Sequence, residues 1–362
     1  MEALVSGRWA GRRVLVTGHT GFKGSWLSLW LHGMGARVSG LALPPPTTPS
    51  LFETARIGAL VRHHEADVRD CAAVRAVLEA ERPEIVFHLA AQPLVRLSYT
   101  QPVETYATNV MGTVHVLDAA RQVPGVAAVV CVTSDKCYEN REWAWPYRES
   151  DPMGGHDPYS SSKGAAELVV SAWRRSYPDG PAIASVRAGN VIGGGDWAAD
   201  RLIPDLVRAF EAGAAPLIRA PDSVRPWQHV LEALGGYLMI GERLLAGDRA
   251  FADGWNFGPS DEDARPVGWI VERMRAAWGG EAQALRPDTG PRPHEAGLLR
   301  LDCSRARAAL GWRPALRLDQ ALDWIVAWHK AVARGTDARD MTLAQIADYR
   351  ALMRRQEARV AA

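Results

Sequence analysis

The chain has 362 residues, 47% hydrophobic and 23% charged, which is enough for a buried α/β core and a second, smaller lobe. Its formal net charge of +1 leaves no excess of basic residues for binding nucleic acid or an anionic membrane. Charged residues interrupt the apolar runs well before the roughly 18 residues that a membrane span needs. The composition therefore predicts an enzyme-sized protein with neither of these partners.

Two further features indicate a cytoplasmic location. The first ten residues lack the basic-then-apolar order of a secretory signal. The chain has four cysteines, at Cys71, Cys131, Cys137 and Cys303. They are scattered without a CxxC pair, which disfavours a disulfide framework and a zinc site. We expect reduced packing cysteines and no bound metal.

Short apolar runs alternate with helical patterns along the first half of the chain. The run Val14 to Thr17 is rich in β-branched residues and ends at Gly18, as in a strand buried on both faces of a parallel sheet. Phe22 to His32 has the pattern of a helix. Further strand-like runs lie at 37–43, 85–90, 127–133 and 182–188. The alternation predicts an α/β fold with a doubly wound parallel (Rossmann) sheet.

After Asn190 the pattern loosens into glycine-rich and proline-rich stretches before short helices resume. We predict a dinucleotide-binding Rossmann domain over 1–190, with a returning segment near 229–258. Residues 191–228 and 259–362 are predicted to form the smaller C-terminal substrate-binding lobe. The tail, rich in arginine and alanine, is predicted to be helical.

A glycine-rich loop joins the first strand to the first helix. It reads Gly18-His19-Thr20-Gly21-Phe22-Lys23-Gly24, with the GxxGxxG spacing typical of short-chain dehydrogenases. The glycines allow a tight turn, so the helix N-terminus can face the pyrophosphate of a dinucleotide. A tight turn without a ligand is the alternative. The residues predicted to contact the cofactor here are Gly18, Thr20, Gly21, Phe22, Lys23 and Gly24.

The end of the second strand does not decide between NAD and NADP. It reads Leu41-Ala42-Leu43-Pro44, without the acidic residue that commonly holds the adenosine ribose and without an arginine for a ribose phosphate. Neutral hydrogen bonds from Thr47, Thr48 or Ser50 are the alternative. On this ground the choice of dinucleotide stays open.

Two short motifs predict the catalytic centre. Tyr159 and Lys163 lie four residues apart in a predicted helix, so their side chains share one face. A nearby ammonium and the nicotinamide cation are expected to lower the pKa of the Tyr159 phenol, making it a base towards a sugar hydroxyl. Ser134, Asp135 and Lys136 follow a buried strand and should lie at the carboxyl edge of the sheet. For Asp135 and Lys136, the alternative is a surface ion pair.

Together with His88-Leu89-Ala90-Ala91 and Asn109, these motifs resemble the extended short-chain dehydrogenase/reductase family over nearly the whole chain. The resemblance implies NAD as cofactor, with contacts from Leu89, Ala90, Ala91 and Asn109. It also implies that Asp67 and Val68, at the end of a third strand, contact the adenine. Capping of the next helix by Asp67 is an equal alternative. A homodimer or homotetramer through the predicted helices at 102–121 and 159–175 is expected from the family.

Three strings resemble one subgroup of that family, the CDP-glucose 4,6-dehydratases. They are the glycine loop, residues 45–53 (PPTTPSLFE) and residues 133–140 (TSDKCYEN). The resemblance implies CDP-glucose as the substrate, CDP-4-keto-6-deoxyglucose and water as products, and an NAD that is retained and regenerated.

The same resemblance implies roles for the catalytic residues. Tyr159 takes the proton of the C4 hydroxyl, and Ser134 hydrogen-bonds that hydroxyl or, alternatively, only caps the strand end. Lys136 or a neighbour removes the C5 proton, and Asp135 protonates the departing C6 hydroxyl. Whether Lys136 is the C5 base or an electrostatic stabiliser stays open.

Candidate substrate contacts follow in the second half of the chain. Asn190 and Arg201 lie in stretches that resemble the family's sugar and diphosphate region, and Arg219 and Arg225 are cations suited to a diphosphate. His229 is a further candidate, with a satisfied core histidine as the alternative. His294 and Glu295 lie in a proline-flanked loop that is expected to be exposed.

Two competing functions are compatible with the same motifs. A nucleotide-sugar 4-epimerase needs Ser134, Tyr159 and Lys163 but no acid for dehydration, so the Asp135-Lys136 pair favours a dehydratase. A dehydratase acting on a different nucleotide sugar uses the same catalytic set. A non-catalytic NAD-sensing protein is disfavoured because Tyr159 and Lys163 are both present.

Overall fold

The computed structural model describes residues 7–280, 282–288 and 297–361. The strands are β1 (Arg13–Thr17), β2 (Arg37–Ala42), β3 (Arg62–Glu65), β4 (Ile85–His88), β5 (Ala128–Val132), β6 (Ala182–Ala188), β7 (Asn190–Ile192), β8 (Leu217–Ile218), β9 (Val224–Arg225), β10 (Trp227–His229), β11 (Gly254–Phe257), β12 (Arg265–Pro266) and β13 (Arg286–Pro287). The helices are α1 (Phe22–Gly33), α2 (Leu51–Thr54), α3 (Cys71–Glu81), α4 (Val95–Thr100), α5 (Pro102–Tyr106), α6 (Gly112–Gln122), α7 (Pro158–Ser176), α8 (Leu202–Glu211), α9 (Val230–Leu245), α10 (Val267–Trp278), α11 (Ser304–Leu310), α12 (Leu318–Ala333) and α13 (Ala338–Ala361).

Seven parallel strands form the central sheet, in the order β11-β6-β5-β4-β1-β2-β3. The chain leaves β1 through β2 and β3 in one direction and then returns to add β4, β5 and β6 on the other side. The strand order therefore reverses between β1 and β4. In doubly wound sheets, ligands bind at the carboxyl ends of the strands beside such a reversal.

Helices cover both faces of this sheet because its strands are apolar on both sides. In β1, Val14 and Val16 face the core formed with α1 and α9, whereas Leu15 faces the core formed with α3, α6 and α7. A third apolar cluster joins α8, α10 and α12 through residues such as Ile203, Ile270 and Leu322. This cluster forms the body of the smaller lobe.

The predicted strands and helices of the sheet are confirmed, with small shifts at their ends. The strand predicted at 182–188 has those bounds, and the helix predicted at 159–175 is α7. The strand before Asp67 ends two residues earlier than predicted, at Glu65, because the chain turns there towards α3. The helix predicted over 102–121 is broken by a π-helical turn at 107–111. The tail is helical, as predicted.

The segment predicted to return to the first domain contains α9 and β11, and β11 forms one edge of the sheet. α13 belongs to the predicted lobe by sequence but packs against α1 as well as α12. The domain boundary itself stays a prediction. None of the described helices combines the length and hydropathy of a membrane span.

Candidate active site

A cavity of about 380 Å³ opens at the carboxyl edge of the sheet, between the sheet and the smaller lobe. The predicted catalytic residues that line it are Ser134, Asp135, Lys136 and Tyr159. The predicted substrate contacts that line it are Asn190, Arg201, Arg219 and Arg225. Phe22 and Lys23 of the glycine loop also reach it. Motifs from both halves of the sequence therefore converge on one space.

Ser134 to Cys137 form a tight 3₁₀ turn directly after β5. Ser134 is its N-cap, and its hydroxyl accepts a hydrogen bond from the Lys136 amide at 3.2 Å. The same hydroxyl donates to Asp135 Oδ1 at 3.0 Å. A hydrogen bond between Ser134 and Tyr159 also lowers the pKa of the phenol. Ser134 is thus both the predicted cap and a neighbour of the reactive phenol.

Asp135 is buried, with 3% of its surface exposed, whereas Lys136 is half-buried. Burial raises the pKa of Asp135, although Lys136, the Ser134 hydroxyl and Arg225 oppose the shift. Its Oδ2 atom has no hydrogen-bond partner among the described residues. The surface ion pair considered above is therefore wrong for Asp135. A raised pKa favours the protonated form of the carboxyl, which is the form that acts as a general acid.

Tyr159 and Lys163 lie in the first two turns of α7, which begins at Pro158 and is capped by the Asp157 side chain. Burial raises the pKa of Tyr159 to about 12, outweighing the Ser134 hydrogen bond. The predicted lowering depends on the nicotinamide cation as well as on Lys163, and it stays a prediction. Burial also lowers the pKa of Lys163 to about 8, which weakens the positive charge that the prediction invoked.

Lys163 does not line the cavity but lies behind Tyr159, with its ammonium donating to the Val132 carbonyl at 3.4 Å. One turn further along α7, Glu167 accepts hydrogen bonds from Thr133 Oγ1 at 2.5 Å and Ser185 Oγ at 2.7 Å. It also forms a two-pronged ion pair with the Arg187 guanidinium at 2.9 and 2.8 Å. Sequence analysis missed this buried pair, although Glu167 lies four residues after Lys163 and therefore on the same helix face.

The glycine loop has the shape that a dinucleotide pyrophosphate requires. Gly18 has φ +72°, and a Cβ there would lie 2.7 Å from the Ala90 nitrogen. A Cβ at Gly24 would lie 2.2 Å from the Gly18 carbonyl oxygen. Gly21 caps α1 without any side-chain hydrogen bond, so the first amides of the helix have no side-chain acceptor. This donor set suits an anion at the helix N-terminus, and the residues fit the cofactor.

The residues that follow β4 lie beside the glycine loop, where the strand order reverses between β1 and β4. Leu89, Ala90 and Ala91 are half-buried beside Gly18, and Thr17 accepts hydrogen bonds from the first two amides. Asn109 is buried, and its side chain binds the Gln92 backbone and Ser162 Oγ. Asn109 therefore fixes this segment to α7, and its contact with the cofactor stays a prediction. Thr20 likewise donates its hydroxyl to the Leu43 carbonyl.

Asp67 and Val68 lie in the turn between β3 and α3. Asp67 pairs with Arg69, whose hydrogen bond lowers the pKa of the carboxyl against the effect of burial. Asp70, not Asp67, caps α3 by accepting from the Ala72 and Ala73 amides, so the capping alternative for Asp67 is wrong. Val68 is buried against Gly112. Contact of these two residues with adenine stays a prediction.

The arginines of the smaller lobe are held by carboxylates and carbonyls. Arg201 pairs with Asp196 at 2.9 Å. Arg219 reaches Asp200 at 3.3 Å. Arg225 is almost fully buried and donates to the Val224 and Gly297 carbonyls. These contacts fix the cationic groups at the wall of the cavity before any ligand binds.

His229 is the predicted substrate contact that the structure does not support. It is 1% exposed and does not line the cavity. Its ring packs edge-on between Trp26 and Trp324, and its Nδ1 accepts from the Leu231 amide as the cap of α9. His229 is therefore a core histidine, as the alternative interpretation held, but not a fully satisfied one, because its Nε2 has no hydrogen-bond partner among the described residues. His294 and Glu295 lie outside the described residues.

The doubly wound sheet, the glycine loop at its reversal point and the Ser-Tyr-Lys set beside a cavity with several arginines agree with a nucleotide-sugar enzyme of the extended short-chain dehydrogenase/reductase class, which the comparisons of sequence show. Residues 15–324 match the family model described as GDP-mannose 4,6 dehydratase. The chain belongs to this family.

Relatives and solved structures of known activity resemble the chain over most of its length. A CDP-glucose 4,6-dehydratase of Salmonella typhimurium is 57% identical over 348 residues, covering 94% of this chain and 97% of that protein. A dTDP-glucose 4,6-dehydratase structure from Streptomyces venezuelae with NAD bound covers 88% of this chain and 97% of its own, with 24% identity and a TM-score of 0.74. A UDP-glucose 4-epimerase structure from Thermotoga maritima has 21% identity and a TM-score of 0.76, covering 88% and 99% of the two chains. The structural likenesses establish the fold.

Proposed function

We infer that this protein is an NAD-dependent CDP-glucose 4,6-dehydratase that converts CDP-glucose to CDP-4-keto-6-deoxyglucose and water. The observation that carries this inference is the 57% identity, over nearly the full length of both chains, with an enzyme of that name. The cavity agrees with it, because a buried acid, Asp135, lies beside the Ser134 and Tyr159 pair. A 4-epimerase has no use for that acid.

The proposed chemistry divides among three side chains. Tyr159 takes the proton of the C4 hydroxyl. Ser134 stabilises the phenolate when its hydroxyl proton turns from Asp135 to the phenolate oxygen, and this hydrogen bond lowers the pKa of the phenol. Asp135, in its protonated form, then gives a proton to the departing C6 hydroxyl, and burial favours that form by raising its pKa. When bound, NAD supplies a hydride acceptor for C4, a hydride donor for C6 and a positive charge in its oxidised state.

Removal of the C5 proton is the step that needs a base. We assign it to Lys136, which lines the cavity beside Asp135 and acts in its neutral amine form. The amine accepts the C5 proton and returns a proton to C5 when C6 receives its hydride. Tyr159, which has gained a proton, and Asp135, which has lost one, are restored by exchange with solvent, and the products are the 4-keto-6-deoxy sugar and water.

The test is to incubate the purified protein with CDP-, dTDP-, GDP- and UDP-glucose in separate reactions and to follow each product by mass. We expect CDP-glucose to lose one water without net formation of NADH. Isomerisation at constant mass would instead identify an epimerase. Dehydration of another nucleotide sugar, with CDP-glucose unchanged, would identify that sugar as the substrate. Asp135→Asn serves as the catalytically impaired control.

We further propose a homodimer formed by the helices beside the cavity. Apolar side chains are exposed on α4, α5, the π-helical turn and α7, which pack together: Tyr99, Val103, Tyr106, Met111 and Leu168. An exposed apolar surface of this kind favours a second copy of the chain. In such a dimer α7, which carries Tyr159 and Lys163, would pack against its own sheet on one side and against the second copy on the other.

A cytoplasmic location is also proposed. All four cysteines are free thiols, and three of them are buried, as is usual in a reducing compartment. Fractionation of cells that produce the protein, with the dehydratase assay applied to each fraction, tests this proposal. Activity in a secreted fraction would contradict it.

A further inference from the structure

Lysine is rare in this protein, and its placement is not random. The chain has only four lysines among its 42 basic residues, and three of them, Lys23, Lys136 and Lys163, lie at the catalytic end of the molecule. Arginine supplies nearly all the other positive charge. A buried lysine can release its proton near neutral pH, which an arginine cannot do. The position of Lys23 in this set is therefore informative.

Lys23 belongs by sequence to the glycine loop, yet its side chain points into the substrate cavity. It is the second residue of α1 and lines the cavity together with Ser134, Asp135 and Tyr159. Within the described residues its ammonium has no hydrogen-bond or ion-pair partner. The groups that act on it electrostatically are two cations, Lys163 and Arg201, and one carboxyl, Asp135.

The neighbouring charges indicate what kind of ligand suits this position. Arg201 comes from the opposite wall, immediately before α8, and is anchored by Asp196. The carboxyl of Asp135 favours the charged amine, but its effect on the pKa of Lys23 is smaller than the effects of burial, Lys163 and Arg201. Asp196 already pairs with Arg201, whereas Lys23 has no ion-pair partner among the described residues, so the space between these two cations is complementary to an additional anion such as a diphosphate.

We propose that Lys23 is a substrate ligand, which together with Arg201 binds the diphosphate of the nucleotide sugar from the side of the cofactor loop. This proposal rests on the proposed function, since it names a contact for that substrate. It goes beyond the sequence prediction, which gave Lys23 to the cofactor alone. The glycine loop, through Lys23, and the smaller lobe, through Arg201, would then contact the same diphosphate, so the bound substrate would link these two parts of the site.

A change of protonation accompanies such a contact. Burial, with Lys163 and Arg201, lowers the pKa of Lys23 to about 7, so much of the amine is neutral in mildly alkaline solution. A diphosphate beside the amine favours the charged form and draws a proton from solvent. Binding of a nucleoside diphosphate should therefore consume protons above neutral pH, and an arginine at this position should abolish that uptake.

The experiment measures binding of CDP to the NAD-loaded protein by calorimetry, over a pH series and in buffers of different ionisation enthalpy. We expect wild type to take up protons on binding CDP, increasingly so above pH 7. Lys23→Met should bind CDP roughly 10- to 100-fold more weakly, as for loss of a charge-assisted hydrogen bond. Lys23→Arg should bind CDP without the uptake. Lys330→Met is the matched control, because Lys330 lies far from the cavity against Trp278.

The outcomes separate this proposal from its alternatives. Wild-type affinity and proton uptake in Lys23→Met would overturn it. Loss of NAD on gel filtration with unchanged CDP binding would make Lys23 a ligand of the cofactor alone and would also overturn it. Failure of the wild type to dehydrate CDP-glucose, with the proton uptake intact, would reject the proposed function while leaving the diphosphate contact standing.

Discussion

Asp135 and Tyr159 are both buried in the same cavity, yet burial suits one to its proposed role and opposes the other. Burial raises the pKa of the carboxyl, which favours the protonated form that a general acid needs. It also raises the pKa of the phenol, which disfavours the deprotonated form that a general base needs. The phenol therefore depends on neighbouring groups that lower its pKa, whereas burial alone shifts the pKa of the acid in the direction that its role needs.

Asp135→Asn separates the acid step from the oxidation step. The amide keeps the size of the side chain but has no acidic proton to give, so dehydration should slow by roughly 10²- to 10⁴-fold. Oxidation at C4 should persist, because Tyr159 and Ser134 are unchanged. Stopped-flow absorbance should then show enzyme-bound NADH accumulating with CDP-glucose, and mass spectrometry a 4-keto sugar that retains its C6 hydroxyl. Product formation at the wild-type rate would refute the acid role.

Ser134→Ala tests the hydrogen bond that lowers the pKa of Tyr159. Without it the pKa of the phenol rises further, so less phenolate forms at neutral pH and the acidic limb of the rate profile should move to higher pH. A hydrogen bond to a charged group corresponds to a shift of about one to two pH units. The profile of kcat against pH measures this shift. Ser171→Ala, on the same helix but outside the cavity, should leave the profile in place.

At the scale of elements, the ion pair between Glu167 and Arg187 joins the catalytic helix to the sheet. The two side chains are 2% and 4% exposed, and Thr133, the residue before Ser134, donates to the same carboxylate. Glu167→Gln should cost about 3–5 kcal/mol of unfolding free energy, because it leaves a buried guanidinium without its counter-charge. Urea unfolding measures the loss.

A double variant distinguishes this cause from simple loss of packing. Glu167→Leu combined with Arg187→Met removes both charges and should be more stable than Glu167→Gln alone. If the double variant is instead the less stable of the two, an unpaired charge is not the reason for the loss.

The sequence predicted the strands, the glycine loop and the catalytic turn because each depends on local pattern. The run at 182–188 is apolar on both faces, and Gly18 is required by its positive φ and close approach to Ala90. The errors concern contacts between distant segments. The residues that flank His229 in sequence do not indicate whether its ring faces a ligand or packs against Trp26 and Trp324, which are distant in the chain. Nor does the sequence reveal that Ser185 and Arg187 of β6 meet Glu167 of α7.

The exposed apolar face of α5 and α7 leads to a prediction about assembly. Val103 is 80% exposed and Leu168 is 62% exposed, on helices that contact each other. Val103→Arg combined with Leu168→Arg should convert a dimer into a monomer, since it would bury unpaired charges in the interface. Light scattering gives the mass. Trp145→Arg changes an exposed aromatic residue outside this face and should remain dimeric, and a wild type that is already monomeric would exclude the interface.

At the scale of the whole molecule, four buried histidines make the fold sensitive to acid. Burial lowers the pKa of His88 and His229 to about 3 and that of His19 and His329 to about 4, from an ordinary value of 6.5. Below pH 6.5 the unfolded chain therefore binds more protons than the folded chain at these sites, and stability falls as pH falls. Glu232 acts in the opposite direction. Burial raises its pKa to about 7, so between its ordinary value of 4.5 and pH 7 the folded chain binds the extra proton.

Asp135 and Glu149, whose pKa values burial also raises, act in the same direction as Glu232. We expect the four histidines to outweigh these carboxyls, so unfolding free energy should decrease as the pH falls below 6.5. Each histidine contributes up to about 1.4 kcal/mol per pH unit once the pH is well below 6.5. His329→Gln should remove one such contribution, so its stability should change less steeply than that of wild type between neutral pH and roughly pH 5. Urea unfolding at several pH values measures both slopes. His32→Gln, at an exposed position of α1, should keep the wild-type slope. Equal slopes for His329→Gln and wild type would mean that a different group controls the loss of stability in acid.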